Sequence, residues 1–118
     1  MNESNKRLQE VVDELCYLAI SDKIKFLEEL LFYFTLAGRG IWSDDKPSDP
    51  EKIEAFRWLN ELSHRIWNIR SELQQNEDTE SFTRLYENMK FYAEQSDLLR
   101  MHLVPTTLNA FEKFKMRQ

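Results

Sequence analysis

Glycine is nearly absent from this 118-residue chain: Gly38 and Gly40 are the only two, and Pro47, Pro50 and Pro105 are the only prolines. A sheet-containing domain of this size turns its chain far more often, so the scarcity of turn formers points to helices. Cysteine is scarcer still. With Cys16 alone, neither an internal disulfide nor a thiolate metal cluster can form. Its neighbours Leu15, Tyr17 and Leu18 predict a buried structural thiol. The polar N-terminal stretch from Met1 to Glu10 lacks the apolar segment of a secretory signal. The longest apolar-rich stretch, Leu30 to Ala37, falls well short of the ~20 residues that cross a bilayer. A cytoplasmic protein without membrane contact is therefore expected.

Positive charge is also in deficit, with 16 Lys+Arg against 21 Asp+Glu and a net charge of −5. Such a surface repels phosphate, so no nucleic-acid partner is expected. It suits a basic protein partner.

What the chain does have is apolar material: 42% hydrophobic and 13% aromatic residues, enough to fill one core in one domain over residues 1–118. The spacing of that material is helical. Leu8, Val11, Val12, Leu15 and Leu18 predict a first helix over about 4–19. Ser21 and Asp22 offer a cap for a second over about 22–37, where Leu27, Leu30, Leu31, Phe34 and Leu36 are joined by Phe26, Phe32 and Tyr33. Its second half is apolar all round, which predicts a buried central helix, with Gly38 as a left-handed terminator. After a loop, Ser48 and Glu51 form a capping box with Pro50 in the first turn. A third helix over about 49–75 follows, with Ile53, Phe56, Leu59, Leu62, Ile66, Ile69 and Leu73 on one stripe and Trp58 and Trp67 beside it.

A polar break over 76–79 precedes the most regular pattern in the chain. Phe82, Leu85, Met89, Tyr92, Ser96, Leu99 and Leu103 step alternately by three and four, which predicts a fourth helix over about 80–103. Pro105 is expected to stop it, and Thr106 or Thr107 to cap a short last helix with Leu108, Phe111 and Phe114. The expected architecture is all-α: an antiparallel bundle of four main helices plus a short C-terminal one, with the third and fourth as a long hairpin around the second.

The polar faces of these helices carry little chemistry. Glu61-Leu62-Ser63-His64 has the Glu-x-x-His spacing of carboxylate-bridged di-metal bundles. Such a site needs a second copy, and the other histidine, His102, follows Leu99 at that spacing, so no metal and no cofactor is expected. Ser63 and His64 are adjacent and diverge by about 100° on a helix, which rules out a nucleophile–base pair. Gly38-Arg39-Gly40 lacks the ending of a phosphate loop, and the acids from Asp44 to Glu51 lack the alternation of a calcium loop.

Arg57 and His64, two turns apart beside Asn60, Glu61, Asn68 and Ser71, form the one suggestive pair. Arg57-x6-His64 in a small helical chain resembles the Arg-x-His motif of HEPN-family ribonucleases. That resemblance implies a general acid or base at His64 and a phosphate contact at Arg57.

The remaining candidates are binding surface. Trp42 stands in the loop beside Ile41 and just before Asp44 and Asp45, and aromatics next to acids are common interface anchors. Glu72, Glu77, Asp78 and Glu80 form an acidic run without Lys or Arg that suits a basic partner. No catalytic residues are expected. The functional expectation is a non-enzymatic inhibitor, an immunity protein or antitoxin that neutralises a basic nuclease toxin by binding it. The alternatives are the HEPN-like ribonuclease of Arg57 and His64, and a helical adaptor or homodimer.

Overall fold

The computed structural model of the chain describes residues 3–42, 49–76 and 80–117. Among them every regular element is a helix: α1 (Glu3–Leu15), α2 (Ile20–Ile41), α3 (Pro50–Asn76), α4 (Glu80–Thr83), α5 (Leu85–Ala93) and α6 (Asp97–Met116). The all-α expectation is met, and no described helix is long and apolar enough to cross a membrane.

The periodic apolar residues lie where the spacing puts them. Leu8, Val11, Val12 and Leu15 bury one side of α1, which packs on α5 and α6. Phe26, Leu27, Leu30 and Phe34 bury the inner side of α2, the helix with the most extensive packing, against α3 and α6. The Phe26 ring meets Phe114 and Phe111 of α6 edge-on, at 5.7 and 6.4 Å between centroids. Each such fully buried ring contributes about 2–3 kcal/mol through burial alone. Two charges are drawn into the same packing. Lys23, 4% exposed, lies 5.6 Å from the centre of the Phe82 ring, and the buried Glu29 carboxylate accepts from Arg117 near the end of α6.

Several boundaries differ from expectation, each for a local reason. α2 begins at Ile20 behind Ala19, which makes no side-chain cap, so Ser21 and Asp22 lie inside the first turn. There the Asp22 carboxylate complements the positive end of the helix. Gly38 does not end α2 but lies buried within it. A Cβ at that position would stand 3.3 Å from Cε1 of Phe56 and 3.5 Å from Leu59, so the missing side chain lets α3 approach. Nor is the second half of α2 buried all round: Phe32 is 56% and Leu36 40% exposed.

At the start of α3, Asp49 accepts the Glu51 N–H at 3.0 Å and its carbonyl accepts that of Ile53. Asp49 therefore fills the cap expected of Ser48, which lies outside the described residues, and Pro50, expected within the first turn of a helix from about residue 49, is its first residue. Ile53, placed on the core stripe by its spacing, is 45% exposed.

The expected fourth helix is broken. α5 ends at Ala93, and Ser96, extended at φ −152° and ψ 124°, accepts the Leu99 N–H at 3.1 Å to start α6. Pro105 does not stop that helix; α6 runs through it. A proline nitrogen cannot bond the carbonyl four residues back, that of Met101. Pro105 and Met101 both lie on the exposed side, where water can reach that oxygen. Thr107 caps nothing: it is buried, and its hydroxyl donates to the Leu103 carbonyl at 2.9 Å. Cys16 is only partly buried against the core, and desolvation pushes its thiol up while the nearby Lys23 ammonium pulls it down.

Candidate functional site

α3 has two flanks, and the small residues of α2 make one of them concave. The flank toward α5 is filled. Trp58 lies 5.9 Å from Tyr92, and Nε1 of Trp58 is buried without a hydrogen-bond partner among the described residues. Nε of Arg65 donates to the Tyr92 hydroxyl at 3.3 Å. Farther along, Glu72 accepts from the Ser81 hydroxyl and lies 3.9 Å from Arg84.

The flank toward α2 is different. The N-terminal half of α2 meets the C-terminal part of α3 where Arg70 holds Glu28, its Nε at 2.9 Å from Oε2. The end of α2 meets the N-terminal part of α3 where Gly38 faces Phe56 and Leu59. Between these points α2 presents Thr35 and Gly38, and α3 presents Asn60 and Ser63. These side chains are too short to fill the space between the helices, and a groove runs along the surface there.

One part of the groove, about 370 Å³, lies between Thr35, Gly38, Arg39 and Trp42 of the α2 side and Phe56, Asn60 and Ser63 of α3. The other, about 430 Å³, lies between Leu31 and Thr35 on one wall and Asn60, Ser63, His64 and Trp67 on the other. Both share Thr35, Asn60 and Ser63, so they form one trough. Each end has an aromatic plate. Trp42 closes α2, its N–H on the Gly38 carbonyl at 2.9 Å, and its ring lies 4.9 Å from Phe56 while it remains 38% exposed. Trp67 is 52% exposed with the Arg70 guanidinium 4.8 Å from its ring centre.

The polar floor is partly spent. The Thr35 hydroxyl donates to the Leu31 carbonyl at 3.0 Å and that of Ser63 to Leu59 at 2.9 Å. The Asn60 amide makes no hydrogen bond with another described residue. Arg39 forms no ion pair among the described residues, and no described carboxylate lines the trough. Arg39 also sits in the last turn of α2, where a cation is favoured by the helix dipole.

Of the sequence candidates, Trp42 is at this groove, half lid and half surface. Glu72 is tied to Ser81 and Arg84 on the opposite flank, and Glu80 is exposed at the start of α4. Asp44, Asp45, Glu77 and Asp78 lie outside the described residues. The Arg57 guanidinium lies over its neighbour Trp58, 4.8 Å from the ring centre, whereas His64 lines the trough beside Trp67; the two share none of these cavities. No group of three or more His, Cys, Asp or Glu among the described residues could hold a metal. Sequence reasoning missed Thr35, Gly38, Arg39 and Ser63 as groove residues and took Phe56 for core. The available signal was polar Asn60 and Ser63 inserted between Phe56 and Trp67 on one line of α3. Compared with protein-family models, curated proteins and solved structures, the chain finds no match in any of the three.

Proposed function

We propose that this chain is a non-enzymatic protein-binding inhibitor, an immunity protein or antitoxin acting in the cytoplasm by direct contact with a cognate toxin. The observation that carries the reading is the α2–α3 trough with Trp42 and Trp67 exposed at its ends. Large aromatics flanking a concave, partly polar surface are the usual anchors of protein interfaces. In this reading an antiparallel helical bundle serves as a rigid scaffold for both groove walls, so little ordering cost falls on binding. The net charge of −5 favours a toxin that is basic overall, because long-range attraction speeds capture.

The test is co-expression with a basic toxin encoded beside this chain. The intact chain restores growth, and the double variant Trp42→Ala, Trp67→Ala, shown folded by circular dichroism, does not. Full rescue by that variant would remove the groove from the account, and no rescue by the intact chain sinks the inhibitor reading.

A further inference from the structure

The trough is specific about the kind of segment it can take. Its aromatic ends lie about 16 Å apart, from Phe56 to Trp67 along α3 at 1.5 Å per residue. An extended segment laid there would lose water from its backbone N–H and C=O groups. The floor of the groove has little to give in return: the hydroxyl protons of Thr35 and Ser63 are already committed to their own helices, and on that floor only the Asn60 amide makes no hydrogen bond with another described residue. A helix brings its backbone already satisfied and needs only side-chain contacts. The two anchors match three turns of such a helix, and the polar floor at Thr35, Asn60 and Ser63 faces its middle.

Charge supplies the second constraint. In a chain of net charge −5, this trough is lined by the cation Arg39 and by His64, with no described carboxylate. Glu28, three residues before Leu31 on α2, is held by Arg70. A carboxylate beside the Trp42 end therefore gains a partner, while a lysine there meets Arg39, a cation with no ion pair among the described residues.

We infer that the α2–α3 trough binds an amphipathic helix of the partner, with apolar anchors about eleven residues apart, a small or polar centre and a carboxylate that pairs with Arg39. The inference rests on the protein-binding reading above and makes it narrower. A toxin can be basic overall, drawn in by the whole surface, and still seat one acid-bearing helix.

Two labelled amphipathic helical peptides serve as probes, each with leucines eleven residues apart, one with Glu and one with Lys beside the same leucine. Fluorescence anisotropy with the full chain reads their affinities at low salt. The Glu peptide is expected to bind at least tenfold more tightly, Arg39→Glu to invert that preference, and Trp67→Ala to weaken both. Equal affinity for the two peptides, a preference that survives Arg39→Glu, no binding of either, or displacement of the Glu peptide by a short single-stranded oligonucleotide would each overturn the inference. Toxin neutralisation undiminished by Arg39→Glu overturns the acid-pairing claim and leaves the inhibitor reading standing. Peptide discrimination as expected, without any toxin neutralised, leaves the groove chemistry standing and removes the inhibitor.

Discussion

Trp58 leaves α3 toward α5, where its indole N–H is buried and its ring rests by Tyr92. Trp67 leaves the same helix toward α2 and stays 52% exposed under the guanidinium of Arg70. The residue type is the same and so is the helix; the facing wall decides. On the α5 side, Tyr92 brings a ring and a hydroxyl that fill the space and take a bond from Arg65. On the α2 side, Gly38 lets the backbones come close, and Thr35 is too small to cover what lies outside that contact. Close approach of two helices with short side chains at the seam leaves a trough along their outer edge. One helix thus carries a packed flank and an open one, and in the proposed reading the first serves stability and the second contact.

The sharpest way to break this comparison is to empty the packed flank. Tyr92→Ala removes a side chain that is 3% exposed, together with the support of Trp58 and the partner of Arg65. A cost of about 3–5 kcal/mol is expected for losing a buried aromatic, read as a fall in the urea midpoint. A loss below about 1 kcal/mol would mean that the α5 flank holds nothing together. Next in size is Gly38→Leu on the open flank. Its Cβ alone meets Phe56 at 3.3 Å, and the remaining atoms must enter the groove floor or push α2 from α3. The expected cost is about 1–3 kcal/mol, as for other overpacked seams, with loss of peptide binding. An unchanged midpoint would show that the helices do not approach as closely as Gly38 implies.

Ser96→Ala tests a boundary shared by neither flank. Losing the hydroxyl that accepts the Leu99 N–H is expected to cost about 1 kcal/mol; no change would show that α6 starts without it. This residue also marks how far the sequence was legible. Phe82, Leu85, Met89, Tyr92, Leu99 and Leu103 were all identified as core by their spacing, and all are buried. Spacing reports which side faces inward; it does not require one unbroken helix. Ser96 was the one polar member of the pattern, and a buried serine between apolar neighbours is a cap as readily as a core position. Pro105 misled in the opposite direction, because its cost falls on the Met101 carbonyl and exposure of that side relieves it. The groove was less legible than the core. It is a space between two helices, and its shape depends on Thr35 and Gly38 lying across from Phe56, Asn60 and Ser63, a pairing that no single-helix pattern contains.

The smallest effect on stability, and the most informative about function, is expected from Trp67→Ala. Half of that side chain is already in water, and its replacement by the best helix former offsets part of the lost contact. Arg70 loses the ring beneath its guanidinium but keeps Glu28 across the seam. The midpoint of unfolding should therefore move by no more than about 0.5 kcal/mol, the usual range for surface substitutions. Binding should respond quite differently, because one of the two aromatic anchors of the trough is gone while Trp42 and Phe56 remain. A variant as stable as the parent that no longer binds assigns Trp67 to contact alone. A variant that unfolds several kcal/mol earlier would mean that the α2 flank of α3 is packed like the α5 flank, and the contrast between the two tryptophans would be lost.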